Sequence, residues 1–277
     1  MRPAQVVRRA AGYLERRGVD APLPTAEQLL ASVLDTDRVG LYGRAEPLRA
    51  AEAKAFGRLL CRRCEGAPTQ HLTGEAGFRY LMVTVRPGVF VPRPETEVVV
   101  DVALEIVRDV SSPVVVDIGT GTGVIGLSLK HERPDAEVWA VDLSPDAVAL
   151  AGENASRNGL EIALVQGDMF AELPRSMCGA IDLVVANPPY IEPDAYDALP
   201  PEVRADPIEA LVGGLAVYER LFAHAAPLLR PGGSVVVEIG EEQGPAVAAA
   251  ATAAGAARVS VRPDLAGRDR VVLARWP

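Results

Sequence analysis

Apolar residues in the first third of the chain recur at helical spacing. Val6, Val7, Ala10, Tyr13 and Leu14 fall on one face of a helix predicted over residues 3–18. After GVDAPLP, the run TAEQLLASVL predicts a second helix capped at Thr25, with Leu29, Leu30 and Val33 as its apolar stripe. Phe56, Leu59 and Leu60 mark a third helix from about Ala50 to Arg63. Three short helices bury too little surface to stand without a neighbour to pack on.

The period then changes. Leu81, Val83 and Val85 alternate, Arg86-Pro87-Gly88 supplies a turn, and Val89-Phe90-Val91 returns, which predicts a β-hairpin acting as the joint between two domains. From Pro94 onward, the apolar strand candidates Val114–Ile118, Val138–Val141, Ala163–Val165, Leu183–Ala186 and Val235–Ile239 are mostly separated by helical stretches. That is the pattern of an α/β domain, a parallel sheet with helices on both faces. The tail, ARVSVRPDLAGRDRVVLARW, reads as two strands around a short irregular loop, so the sheet should close on an antiparallel hairpin. The expected organisation is a helical domain over 1–74, a hairpin linker over 75–93 and the α/β domain over 94–277.

Composition narrows the class. Hydrophobic residues make up 49% of the chain, an ordinary globular fraction. No apolar run approaches the ~20 residues that a membrane helix needs. Arginines interrupt the N-terminal stretch MRPAQVVRRAAGYLERRG, which has no signal-peptide core. The chain reads as soluble and cytoplasmic. Three cysteines give no disulfide framework, and Cys61-x-x-Cys64 falls mid-helix with no second pair to complete a zinc site. His71, His131 and His224 are far apart, so no metal site is expected. The net charge of −9 is uneven: residues 1–74 hold 12 basic and 8 acidic side chains, leaving a balance of −13 for the remainder. So acidic a catalytic half argues against gripping a phosphate backbone over a long footprint.

Candidate chemistry begins at Asp117-Ile118-Gly119-Thr120-Gly121-Thr122-Gly123. It follows a strand and opens a helix, where glycines let the backbone approach a ligand closely. Asp142 ends the next strand, where a carboxylate can accept both ribose hydroxyls of an adenosine. Gly121, Gly123 and Gly126 also satisfy the G-x-G-x-x-G dinucleotide pattern, which keeps a nicotinamide-dependent oxidoreductase open. Asp117 suits a cationic sulfonium ligand better than a pyrophosphate, and Thr120 and Thr122 add hydroxyls for an amino-acid tail. Asp168 could accept from an adenine amine, and Met169 could lie against its ring.

The sharpest signal is Asn187-Pro188-Pro189-Tyr190 at the end of a strand. Two prolines fix the backbone and remove two donors, leaving carbonyls free to face a ligand. The Asn187 side-chain oxygen and the Pro188 carbonyl can accept the two hydrogens of an NH2 group, while the Tyr190 ring stacks on a planar amide, guanidinium or base. An amide nitrogen is a poor nucleophile, and two acceptors on its hydrogens raise its electron density and fix its approach. A nucleic-acid amino-methyltransferase would use the same motif but should carry a basic recognition region.

Taken together, ASVLDTDRVGLYG, RRCEGAPTQHLTGE, PGVFVPRPETE, DIGTGTG, NPPYI and DLAGRDRVV resemble the HemK-type protein-(glutamine-N5) methyltransferases that modify peptide-chain release factors. The resemblance spans nearly the whole chain. It implies a Rossmann-like class I methyltransferase sheet with a small N-terminal helical domain for substrate docking, joined by a β-hairpin. It further implies S-adenosyl-L-methionine held by the Gly119–Gly123 loop, Asp142, Met169 and Asn187. The acceptor would be the glutamine of a Gly-Gly-Gln loop in a release factor, held by Asn187, Pro188, Pro189 and Tyr190. The alternative within the same family is another protein amide, a small molecule or a nucleobase nitrogen. The roles of Arg93, Glu95 and Glu97 in PRPETE stay open between closing over the cofactor and capping the next helix.

Overall fold

The computed structural model describes all residues, Met1–Pro277, and they divide into two compact units. The first comprises Met1–Glu75 together with Leu199–Ala205. Its helices are α1 (Pro3–Glu15), α2 (Pro22–Leu34), α3 (Arg38–Gly43), α4 (Ala50–Cys64) and α5 (Thr69–Thr73). Val7, Leu14, Leu29, Leu30, Leu41 and Phe56 form its core, which matches the helical stripes. Helix α2 starts at Pro22 rather than at a Thr25 cap. Proline has no N–H to satisfy and a preset φ, so it favours the first helical position, and Thr25 becomes a buried helix residue. The late segment is tied in by buried Arg63, whose Nη2 lies 2.6 Å from Glu202 Oε2. Gly66 faces Pro201, where a Cβ would lie only 2.8 Å from the proline Cβ.

The second unit comprises Ala76–Ala198 and Asp206–Pro277. Strands β1 (Glu75–Phe78) and β2 (Leu81–Thr84) form a two-stranded hairpin. It turns at Arg79-Tyr80, not at Arg86-Pro87-Gly88, and Val89-Phe90-Val91 makes no strand. Arg79 holds the turn in place. Its φ is 50°, its N–H donates to Glu97 Oε1 at 3.0 Å, and its guanidinium reaches Glu132 and Asp101 at 2.6 Å each. Ala76, Phe78, Leu81 and Val83 point into the core of this unit.

The main sheet contains β3 (Val114–Ile118), β4 (Glu137–Asp142), β5 (Ala163–Gln166), β6 (Ile181–Ala186), β7 (Leu229–Glu238), β8 (Arg258–Pro263) and β9 (Asp269–Arg275). Its order is β5-β4-β3-β6-β7-β9-β8. The first five strands are parallel and the last two join antiparallel, as the tail pattern predicts. Residues of one strand alternate between two cores. Val115, Leu183, Val185 and Val236 face α6 (Glu97–Val107) and α7 (Val124–Glu132). Val116, Val184, Ala186, Val235 and Val237 face α9 (Gly214–Ala225) and α10 (Gly244–Ala253). Both faces are covered, which is why the central strands are apolar without a polar alternation. No helix is long and apolar enough to cross a membrane.

Between β4 and β5 lies α8 (Pro145–Arg157). From it, fully buried Asn154 bridges two elements. Its Oδ1 accepts from Thr84 N (2.7 Å), and its Nδ2 donates to Thr84 O (3.1 Å) and Thr122 O (2.9 Å). One side chain therefore satisfies three backbone groups and ties the hairpin edge to the glycine loop. Asn154→Ala leaves all three without a partner, and a urea titration should show a loss of about 2–4 kcal/mol in unfolding free energy.

Candidate active site

The strand order reverses between β3 and β6, and in parallel α/β sheets ligands bind beyond the carboxyl ends of strands at such a point. Register decides what stands there. Ile118 pairs with Val141 on one side and Ala186 on the other, and Ala186 pairs with Val237. The next residues along these strands are Gly119, Asp142, Asn187 and Glu238. Four candidate chemistries therefore emerge side by side from one row.

The glycine loop hangs from β4, with the N–H groups of Gly119 and Thr120 both donating to Val141 O at 2.9 and 3.0 Å. Gly123 (φ 87°) lies between α7 and the helix Pro145–Arg157, where a Cβ would meet Leu127 of the former at 3.0 Å and Ala151 of the latter at 3.2 Å. Gly119 (φ 70°) faces the other way, and a Cβ there would have nothing within 4 Å. That open side is where the backbone can receive a ligand.

Asp117 is fully buried behind the loop, not exposed beside it. Its Oδ2 accepts from Thr120 Oγ1 (2.7 Å) and Gly126 N (3.0 Å), while Oδ1 is buried without a hydrogen bond. Burial pushes its carboxyl up to about 6 against the pull of those two bonds. The Thr120 hydroxyl is thus turned inward, and the side chain of Thr122 is buried as well. Asp142 is half-buried, its Oδ2 accepting from Gly121 N (2.8 Å) and its Oδ1 from Ser144 N (2.9 Å). Each of those oxygens keeps lone-pair capacity for a further donor such as a ribose hydroxyl. Asp168 is exposed and pairs with Arg220 at 2.9 Å, and Met169 takes a left-handed backbone (φ 53°) while packing on the second core. The open side of Gly119 and the two anchored oxygens of Asp142 fit an adenosine-bearing cofactor.

On the other side of the switch point, Pro188 is buried, and Asn187, Pro189 and Tyr190 are half-buried. The turn is held from several directions. Gln243 Nε2 donates to Tyr190 O at 2.8 Å, and Ile191 N donates to Leu211 O at 2.9 Å. Gly213 lies so close to Pro189 that any Cβ would strike its carbonyl. Burial, and next the charge of Glu238, push the Tyr190 phenol up to about 12, so it stays neutral at physiological pH.

Two residues emerge that motif reading alone does not single out. Asn187 Nδ2 donates to Thr96 Oγ1 (3.3 Å), and Thr96 Oγ1 donates to Glu238 Oε2 (2.6 Å). Thr96 and Glu238 are buried, and burial raises the Glu238 carboxyl to about 7. The signal for Glu238 was a lone acid inside the apolar strand VVVEIG. In PRPETE, Arg93 pairs with Asp206 at 2.5 Å and lies over the Phe90 ring, Glu97 accepts from Arg79, and Glu95 is exposed. Asp206 also accepts from Val91 N at 3.0 Å, so it pins this loop from both ends.

Comparison with known proteins gives the following. Residues 5–74 match the PrmC N-terminal domain family and residues 81–200 the methyltransferase small domain family. The release factor glutamine methyltransferase of Moorella thermoacetica is 45% identical, with 97% of this chain and 98% of that protein covered. The Deinococcus radiodurans protein of the same name is 42% identical, with 99% of each covered. A crystal structure of a methyltransferase from Pyrococcus furiosus shares the fold at 18% identity and a TM-score of 0.52, over 70% of this chain and 88% of that one.

The buried Asp117 gives a stability prediction. Its carboxyl is raised from 3.8, so the stability contributed by the protonated form is complete below 3.8 and lost as pH rises through about 6. Asn keeps both accepted bonds without the charge. Its NH2, however, takes the place of the unpartnered Oδ1, so the prediction is one of pH dependence: relative to wild type, Asp117→Asn should gain on the order of 1 kcal/mol of unfolding free energy between pH 5 and pH 7.5 in parallel denaturant titrations.

Proposed function

The chain belongs to the release factor glutamine methyltransferase family, and from that premise we propose that it transfers a methyl group from S-adenosylmethionine to the side-chain amide nitrogen of a glutamine in a peptide-chain release factor. The observation that carries this reading is the adjacency of the Gly119 loop, Asp142 and Asn187 along one row of strand ends, in a chain that matches the family along nearly its whole length.

In this reading Gly119–Gly123 and Asp142 hold the cofactor, with Asp168 and Met169 towards its adenine and Asp117 and Thr120 bracing the loop from behind. The cofactor supplies an electrophilic methyl on a sulfonium sulfur. Asn187 Oδ1 and the Pro188 carbonyl accept the two hydrogens of the glutamine amide and aim its nitrogen lone pair. Once it carries the methyl group, the amide nitrogen would lose its extra proton to an acceptor or to water. Tyr190, kept neutral, stacks its ring on the amide plane rather than serving as a base. Pro189 and Gly213 hold the turn at its working distance from α9. The glutamine would come from a Gly-Gly-Gln loop, docked by the helical unit. The compartment would be the cytoplasm, where release factors act.

The test uses methyl-labelled S-adenosylmethionine and a release factor from the same source. Label should appear on the Gly-Gly-Gln glutamine. Asn187→Ala should lower kcat by roughly 10²-fold or more with S-adenosylhomocysteine affinity within about threefold of wild type. Unchanged turnover in that variant would remove Asn187 from the acceptor site, and label on another residue would redirect the substrate assignment.

A further inference from the structure

Asn187 can hold a substrate NH2 only if its oxygen, and not its own NH2, faces the substrate. The two ends of a carboxamide have the same shape, so something must choose between them. The buried pair behind Asn187 has the means to choose.

We propose that Glu238 and Thr96 are positioning residues that lock the Asn187 carboxamide with its oxygen toward the acceptor nitrogen. The inference rests on the reading of Asn187 as the acceptor of the glutamine amide hydrogens. A threonine hydroxyl has one hydrogen to give. Glu238 Oε2, 2.6 Å away, takes it, because a carboxylate can only accept. Thr96 Oγ1 is then left with lone pairs alone on the side facing Asn187, 3.3 Å away. Only the NH2 end of Asn187 can satisfy that partner, so the oxygen must turn outward. The reversed carboxamide would set oxygen against oxygen at Thr96 and two donors against the substrate's two donors.

The geometry around Glu238 is built to keep the lock in place. Register with β6 sets Glu238 beside Asn187, and the fully buried Tyr218 donates to the Glu238 carbonyl at 2.8 Å, fixing its backbone. Thr96 ends the 3-10 turn Pro94–Thr96 and is itself buried, so neither member has water to substitute for its partner. The charged and titratable groups facing Glu238 are Arg270 and Arg93, which favour its carboxylate, Glu95, which opposes it, and the hydroxyls of Tyr190 and Tyr218. Arg270 is held by Asp264 of the DLAGRDR loop and by the carbonyl of Ile239 just after β7, both at 3.3 Å. That loop thereby sets the charge that the lock feels from β9.

Protonation would open the lock. A neutral Glu238 can donate to Thr96, which frees the Thr96 hydrogen to point at Asn187 and removes the preference. Burial places this titration near pH 7, so the competent carboxylate form is populated above about 7 and lost below it.

The experiment measures turnover on a release factor across pH 5.5–9 for wild type, Thr96→Val, Thr96→Ser, Glu238→Gln and Asn187→Ala, with S-adenosylhomocysteine binding and thermal unfolding for each. Thr96→Val keeps the shape and removes the relay, and should lower kcat by roughly 10- to 100-fold with KM for the release factor within about threefold. Thr96→Ser should restore most of the rate. Wild-type kcat should climb with pH through about 7, and Glu238→Gln should lack that limb. Wild-type turnover in Thr96→Val, a Thr96→Ser as slow as Thr96→Val, or an unchanged limb in Glu238→Gln each overturns the proposal. If Asn187→Ala is inactive in those cases, only the lock fails. If Asn187→Ala is fully active, the underlying assignment of Asn187 fails instead.

Discussion

The whole site depends on four parallel strands ending level. Ile118, Val141, Ala186 and Val237 form one row, joined by backbone hydrogen bonds, and the residues that follow them are Gly119, Asp142, Asn187 and Glu238. A strand's side chains alternate with period two, so a slip of one residue exchanges its two faces. Every residue of β6 is buried, and both faces of the central strands pack on helices. A slip anywhere would therefore disturb two cores at once. Packing far from the site is what places its functional groups within reach of one another.

Electrostatics work against this economy of placement. Asp117 and Glu238 are carboxylates removed from water, and burial dominates the shift in each. Each is met by a threonine hydroxyl, Thr120 for Asp117 and Thr96 for Glu238, at 2.7 and 2.6 Å. The same device does different work at the two positions. At Asp117 it folds the glycine loop back on α7; at Glu238 it links the carboxylate through Thr96 to Asn187. Groups that weaken the fold at neutral pH but order a site are what functional centres tend to contain.

How much of this could be read from the sequence follows from how local each signal is. The parallel strands, the glycine loop and the Asn-Pro-Pro-Tyr turn were legible because period and short motifs record them within a few residues. The antiparallel ending was legible for the same reason. Pro87-Gly88 is the stronger local turn signal, whereas the turn of the hairpin depends on Arg79 reaching Glu132, 53 positions away. Thr25 has the side chain of a helix cap, but Pro22 outranks it as the first helical residue. Thr96 and Glu238 are 142 positions apart, and Arg93 and Asp206 are 113 apart, so no motif could join them. An acid inside VVVEIG was visible, but only register says what it stands next to.

The short segment Leu199–Ala205 has a consequence of another kind. It leaves the larger unit after the Asn-Pro-Pro-Tyr turn, closes on the helices through Glu202 and Pro201, and returns at Asp206. The helical unit is therefore not a contiguous cassette. A recombination event that moved residues 1–74 onto another methyltransferase would leave buried Arg63 without Glu202 and Gly66 without Pro201. Stranding a buried cation is among the more destabilising single changes a fold can suffer. A transferable helical module would have to carry a counterpart of Leu199–Ala205 along with the helices.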